Sequence, residues 1–290
     1  MKKVFVTGST GFLGSHLVTL LKQNSDLFQV HEFTGEIINN SELTTSIQSF
    51  VPDVVIHLAG MSHVMECEAD PGKALQVNCL GTENLVFALR NINFAGNLYF
   101  SSTAQVYKSV QKNDRVSFDH QSVIEPQNTY AFTKLLAEKT LEGYSQISSA
   151  HVTILRLFNH THKSQSNRFF LPSVYNQILN AKDGDTIKLG NLDIYRDFSL
   201  VSDLMEFFLA DLKSNSRGKF EVLNLSSGVG RNLRSLVNLF SEKLNKKVKI
   251  ETDPALVRSG EPTHIIGSFS SSYKNKKSDA EFVDAFLKGI

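Results

Sequence analysis

Tyr130-Ala131-Phe132-Thr133-Lys134 sets a phenol and an ammonium four residues apart, on one face of a helix if the segment is helical. A cation close to a phenol favours phenolate and lowers the tyrosine from its usual value of about 10, which makes Tyr130 a candidate general acid or base. Taken alone, the spacing fits a solvated helix face as well. Ser101-Ser102-Thr103 adds hydroxyls just past a strand pattern, at the carboxyl edge where open α/β sheets bind ligands, so that one of them could bond a substrate oxygen beside the tyrosine. Gly8-Ser9-Thr10-Gly11-Phe12-Leu13-Gly14 follows the first strand pattern and opens the first helical one. Glycines there serve a sharp turn, a close backbone approach to a pyrophosphate and tight helix–strand packing, while the helix N-terminus faces the anion. The spacing is one residue longer at its start than the usual dinucleotide fingerprint. A cofactor held by Gly8, Thr10, Gly11, Phe12, Leu13 and Gly14 is the expectation.

These residues need elements to aim them. Apolar, β-branched runs at 3–7, 28–34, 53–58, 97–101 and 151–157 predict strands, and helix-length periodicity at 12–23, 41–50, 73–90 and 129–144 alternates with them. That is the rhythm of a Rossmann-type, doubly wound parallel sheet, an α/β fold, and Val54-Val55-Ile56 reads as a strand buried on both faces. After Leu157 the rhythm changes. The expected division is a dinucleotide-binding domain over 1–157 and a smaller substrate-binding region over 158–290, interleaved so that about 194–225 returns to the first core.

The cofactor's adenosine end is read from the close of the second strand, where an acid would bond a ribose 2′-hydroxyl and favour NAD. Thr34-Gly35 falls there, flanked by Glu32 and Glu36, with no arginine to hold a 2′-phosphate; NADP is the expectation, with NAD as the alternative.

The chain has 290 residues, 41% hydrophobic and 20% charged, which excludes a disordered or collagen-like chain. Its 30 basic and 29 acidic side chains nearly cancel, leaving no field to grip a nucleic acid or an anionic membrane. No stretch reaches about 18 consecutive apolar residues, and Met1-Lys2-Lys3 runs straight into a strand pattern, so no spanning segment or leader is expected. Cys67 and Cys79 make no disulfide framework and are expected as buried thiols in the reducing cytoplasm. His160 and His162 have no carboxylate at ligand spacing, and no metal is expected.

Gly8-x-x-Gly11-x-x-Gly14, His57-Leu58-Ala59-Gly60, Asn78, Ser102-Thr103 and Tyr130-x-x-x-Lys134 together resemble the extended short-chain dehydrogenase/reductases of the nucleotide-sugar branch. The likeness covers nearly the whole chain. Arg156-Leu157-Phe158-Asn159-His160, Tyr195-Arg196-Asp197-Phe198, Asn224-Leu225-Ser226-Ser227-Gly228 and Val257-Arg258-Ser259-Gly260-Glu261-Pro262 are similar to the GDP-4-keto-6-deoxy-mannose reductases and their GDP-mannose dehydratase relatives. The resemblance implies a catalytic Thr103, Tyr130 and Lys134, with Leu58, Ala59, Gly60, Asn78, Ser101, Tyr130 and Lys134 also on the cofactor. It places Thr103, Asn159, Arg196 and Arg258 on the sugar and diphosphate of a nucleotide-sugar substrate.

Two departures narrow the activity. The dehydratases carry an acid just after the catalytic threonine, where this chain has Ala104-Gln105, so water loss is not expected. The family's Gly-Pro-Gly turn after Asn-His is replaced by Thr161-His162-Lys163-Ser164. The expected activity is reduction of the C4 keto group of a GDP- or dTDP-linked 4-keto-6-deoxyhexose by NAD(P)H. A nucleotide-sugar 4-epimerase is the alternative, and a non-catalytic NADP-sensing protein a remote one. Residues 73–90 and 129–144 are apolar on more than one side, as in Leu85-Val86-Phe87-Ala88-Leu89, so a homodimer through a four-helix contact like that of the family's dimers is expected.

Overall fold

The computed structural model describes residues 1–108, 117–214, 217–257, 263–268 and 276–290. In chain order the first elements are β1 (Lys2–Thr7), α1 (Phe12–Gln23), β2 (Phe28–Phe33), α2 (Asn40–Phe50), β3 (Val54–His57), α3 (Val64–Ala69) and α4 (Pro71–Leu75). A π-helical turn (Gln76–Leu80) leads into α5 (Gly81–Asn91), followed by β4 (Asn97–Thr103), β5 (Ser117–Phe118), α6 (Thr129–Ile147), β6 (His151–Leu157) and β7 (Asn159–Thr161). Then come α7 (Phe170–Asn180), β8 (Thr186–Leu189), β9 (Tyr195–Leu200), α8 (Val201–Ser214), β10 (Phe220–Leu225), β11 (Gly230–Asn232), α9 (Leu233–Lys243), β12 (Lys249–Thr252), β13 (His264–Gly267) and α10 (Asp279–Lys288).

The chain forms two compact units. One takes the described residues of Met1–Ser109, Ser122–Leu157 and Phe207–Asn224, and the other those of Val110–Gln121, Phe158–Glu206 and Leu225–Ile290. The returning segment is therefore shorter than the 194–225 read from the sequence. Residues 194–206 stay with the second unit because β9 pairs with β7, β11 and β13 there.

In the first unit a six-stranded sheet runs β10-β6-β4-β3-β1-β2, and β1, β2, β3, β4 and β6 pair in parallel. Val4, Phe5, Val6, Val55 and Ile56 are fully buried, as strands covered on both faces must be. Leu43 and Ile47 of α2, Leu85 and Leu89 of α5 and Ala137 and Leu141 of α6 close one continuous core over the sheet. Burying each such leucine is worth about 1.5–3 kcal/mol. The segment expected as one helix over 73–90 starts at Pro71 under an Asp70 cap and carries the π turn in its middle. No helix of the described residues is long and apolar enough to cross a membrane.

In the second unit β11-β9-β13-β5 form a sheet that β7 joins at β9, and β12 and β8 form a parallel pair. Its core gathers Leu171, Val174 and Ile178 of α7, Leu236, Val237 and Phe240 of α9 and Phe282, Val283 and Phe286 of α10. Buried Arg231 fastens α10. Its guanidinium lies 4.4 Å over the Phe282 ring and bonds Asp279 at 2.6 Å and the Lys277 carbonyl at 3.0 Å.

Candidate active site

β2 lies on one side of β1 and β3 on the other, so the strand order reverses at β1 and opens a crevice at the carboxyl ends of β1 and β3. Gly8 sits at that end with φ +69°, and a Cβ there would stand 2.6 Å from the Ala59 nitrogen. A Cβ on Gly14 would stand 2.0 Å from the Gly8 carbonyl oxygen, so helix, turn and strand touch backbone to backbone. Gly11 differs: its Cβ would meet only the Gly8 oxygen at 3.2 Å, and Thr10 and Gly11 are exposed at the tip. Gly11 caps α1 without a side-chain bond, whereas Asn39 caps α2 and Asn128 caps α6. The first-turn N–H groups, through Phe12 and Leu13, thus lack a side-chain acceptor, and the turn fits the pyrophosphate of a dinucleotide.

Behind the turn runs a buried hydrogen-bond chain whose direction proton counting fixes. The Ala59 N–H donates to Thr7 Oγ1 at 3.3 Å, and the Thr82 hydroxyl donates to the Asn78 carbonyl at 2.7 Å. Thr82 Oγ1 must then accept from His57 Nε2 (3.1 Å), and Thr7 Oγ1 must donate to His57 Nδ1 (2.7 Å). His57 is a neutral imidazole, its pKa brought down to about 3 by burial and, secondarily, by the charge of Lys134. Asn78, in the π turn, accepts from the Met61 N–H at 2.8 Å and donates to the Met61 carbonyl at 3.1 Å and to Thr133 Oγ1 at 2.9 Å. Both its N–H groups are used inside the protein. It pins the Gly60–Met61 loop to α6. Ser101 likewise turns its hydroxyl to the His57 carbonyl at 3.2 Å, while Leu58 hangs from the Thr7 carbonyl at 3.1 Å.

Thr103 ends β4, and Asn128 starts α6 by accepting from the Ala131 N–H at 2.8 Å, which puts Tyr130 in the first helical turn. The phenol is buried and hydrogen-bonded by the Thr103 hydroxyl. Here the structure corrects the expectation of a lowered phenol. Burial pushes Tyr130 up to about 12, the Thr103 bond acts the other way, and Lys134 is not among the groups acting on it. Lys134 instead lies 4.1 Å over the Phe100 ring, and a Cβ on Gly60 would stand 3.6 Å from its Nζ. Burial brings Lys134 down to about 8 against the pull of Glu138.

In the second unit Asn159 begins β7 and donates to the Asp197 carbonyl at 3.0 Å. Arg196, on β9, is buried and donates to the Tyr195 carbonyl at 2.8 Å. Arg258 and its neighbours through Pro262 lie outside the described residues. Cys67 is buried as expected, but Cys79 is only partly so; burial raises both thiols. Among the described residues no group of three His, Cys, Asp or Glu could hold a metal.

Sequence reasoning missed two acids. Glu42, three residues into α2, lays its carboxylate on Gly35, where a Cβ would stand 2.3 Å from Oε1. An acid therefore does stand by the end of β2, and the loop beyond it, Glu36 to Ile38, lines a cavity of about 510 Å³ with Asp70, Gly72, Lys73, Gln76 and Val77. None of Thr103, Tyr130 or Lys134 lines that cavity. Glu138, one turn beyond Lys134, is buried in a two-point ion pair with Arg156. Its place in Tyr-x-x-x-Lys-x-x-x-Glu was the available signal.

The family model described as the NAD dependent epimerase/dehydratase family matches residues 4–226. The chain belongs to that family. GDP-6-deoxy-D-mannose reductase of Pseudomonas aeruginosa is 31% identical over 274 residues, spanning 92% of this chain and 88% of its own. GDP-6-deoxy-D-talose 4-dehydrogenase of Aggregatibacter actinomycetemcomitans is 28% identical, over 94% of this chain and 92% of its own. Among solved structures of the family, RMD from Pseudomonas aeruginosa complexed with NADPH superposes with a TM-score of 0.87 at 28% identity, over 100% of this chain and 99% of that one.

Proposed function

We propose that this epimerase/dehydratase-family chain is an NAD(P)H-dependent oxidoreductase that reduces the C4 keto group of a nucleotide-linked 4-keto-6-deoxyhexose. Carrying the reading is its 31% identity, over 92% of the chain, to a GDP-6-deoxy-D-mannose reductase. NADP is the cofactor, with NAD as the alternative, in line with the NADPH of the similar solved structure. When bound, its reduced nicotinamide supplies a hydride.

The chain's own residues do the rest. Tyr130, neutral with its phenol at about 12, holds a proton for the C4 oxygen, and Thr103 bonds the same oxygen as charge grows there. Lys134, buried beside Gly60, holds the nicotinamide ribose and offers positive charge near the reacting atoms. Gly8, Thr10, Gly11, Phe12, Leu13 and Gly14 cradle the pyrophosphate, and Leu58, Ala59, Gly60, Asn78 and Ser101 shape the wall beside it. Asn159, Arg196 and Arg258 take the sugar and the diphosphate, for which arginine's fork suits bidentate bonds. The exposed Leu80, Phe87, Phe132 and Leu136, on the π turn, α5 and α6, form the face of a four-helix homodimer. A cytoplasmic setting goes with two free cysteines.

The family's own description, which names epimerases, favours a second reading as a 4-epimerase. Incubation with GDP-, dTDP-, UDP- and CDP-linked 4-keto sugars and NADPH tests both. A reductase consumes one cofactor per sugar and releases it. Cofactor that stays bound while the matching 4-hydroxy sugar nucleotide, supplied alone, inverts at C4 with no net consumption would replace the reading by the second.

A further inference from the structure

Lys134 is faced from several elements: Glu138 one turn on along α6, Cys67 from α3, Cys79 from the π turn, His57 from β3 and the Phe100 ring from β4. His57 is neutral, and burial raises both thiols, so Glu138 supplies the negative charge in this set. No ion pair fixes Lys134 among the described residues. The carboxylate is 4% exposed and held on both oxygens. Oε1 accepts from Arg156 Nε at 3.1 Å and from the Ser102 hydroxyl, and Oε2 accepts from Arg156 Nη2 at 2.7 Å. Arg156 is steadied in turn, its Nη1 donating to the Tyr107 oxygen at 3.1 Å and that hydroxyl donating to Asn224 Oδ1 at 2.6 Å.

A buried Arg–carboxylate pair gives little stability over apolar side chains of the same volume, because desolvation offsets the attraction. Its position is what distinguishes this one. Residues four apart on a helix are neighbours, and in a water-poor interior a fixed carboxylate one helical turn away acts strongly on an ammonium. Ser102, the third group on the carboxylate, immediately precedes Thr103 on β4. The clamp thus joins the strand end carrying the hydroxyl to the helix carrying the phenol and the ammonium.

We propose that Glu138 is a positioning residue of this centre, a carboxylate fixed by Arg156 and Ser102 that stabilises the Lys134 ammonium from one helical turn away. This rests on the reading that Lys134 works as an ammonium. Without Glu138 no negative charge in this set opposes the burial of Lys134, and the proton is lost at lower pH.

The test is a direct titration of Lys134 in protein carrying [ε-13C]lysine, its signal assigned by loss in Lys134→Arg. No substrate or cofactor is added, so the outcome is separate from whether the chain reduces a sugar. The wild type is expected to titrate near pH 8. Glu138→Gln is expected to titrate about one pH unit lower, a tenfold loss of proton affinity, and Glu138→Asp to recover most of that shift. An unchanged titration in Glu138→Gln overturns the proposal. Should that variant fail to fold by circular dichroism, the double variant Glu138→Met/Arg156→Met, which removes both charges and leaves no buried ion unpaired, decides: Lys134 should again titrate about one unit lower. No change there overturns the proposal equally.

Discussion

Two buried carboxylates, one in each unit, are held in opposite ways. Glu138 in the first unit faces the cation of Arg156 and one hydroxyl. Asp197 in the second faces four neutral donors. Its Oδ1 accepts from the Ser227 N–H at 2.9 Å and the Ser227 hydroxyl at 2.6 Å, and its Oδ2 from the N–H groups of Gly228 at 2.9 Å and Gly267 at 3.2 Å. Burial still pushes the Asp197 carboxyl up, with the four bonds acting against it. The neutral arrangement uses every strong acceptor direction to fasten Ser227 and Gly228 and the end of β13. The paired arrangement leaves a field that a neighbouring lysine experiences. One centre is built to hold backbone, the other to govern charge.

That contrast is easiest to break at Tyr130. Replacing it with Phe should cut turnover at least 100-fold while nucleotide affinity, read by fluorescence titration, stays within about threefold, as expected for loss of a positioned acid. More than half the rate remaining would move the chemistry elsewhere. Arg196→Ala comes next. A charged bond to phosphate is worth about 1.5–3 kcal/mol, so the Michaelis constant for the sugar nucleotide should rise by about 10- to 150-fold with a much smaller change in maximal rate. A collapsed rate at an unchanged Michaelis constant would assign Arg196 to the reacting centre.

Asp197→Asn should act on stability. An amide offers one acceptor oxygen where four donors converge, so its NH2 must face two of them, costing about 1–3 kcal/mol in urea unfolding. Nucleotide binding should be untouched. A variant as stable as the wild type would mean that the four bonds contribute nothing. The smallest effect is expected at Glu42, whose carboxylate covers Gly35. Glu42→Gln removes a negative charge near the place where a 2′-phosphate would sit, and should raise NADPH affinity relative to NADH about three- to tenfold in a binding titration. An unaltered ratio would mean that Glu42 does not read the adenosine ribose.

What was legible beforehand had a local signature. The Gly8–Gly14 turn, the four-residue Tyr130–Lys134 spacing and the helical periodicity from residue 129 involve residues near one another in the chain. The parallel sheet showed itself because Val54-Val55-Ile56 is apolar on both faces. Elements too short to display a period stayed hidden: α3 has six residues, β7 and β11 three each, and β5 two. The π turn at Gln76–Leu80 was invisible because its one-residue slip leaves the apolar pattern helical. The protonation of Tyr130 was misjudged for a different reason. Spacing gives the distance to Lys134 along a helix, but the burial that raises the phenol comes from Cys67, Ala74, Met61 and Val64, which the chain brings in from three other segments. Glu42 likewise reaches Gly35 only through the turn into α2.

The central claim, that the first unit's centre reduces a keto carbon of the sugar, is tested most directly by following a label. Purified protein is mixed with NADPH deuterated at the transferred position of its nicotinamide and a GDP-linked 4-keto-6-deoxyhexose, and the sugar product is read by NMR. One deuterium at hexose C4 for each cofactor oxidised is the predicted result, with Tyr130→Phe at least 100-fold slower. A hexose recovered without deuterium at C4, with no net cofactor oxidised, would contradict it.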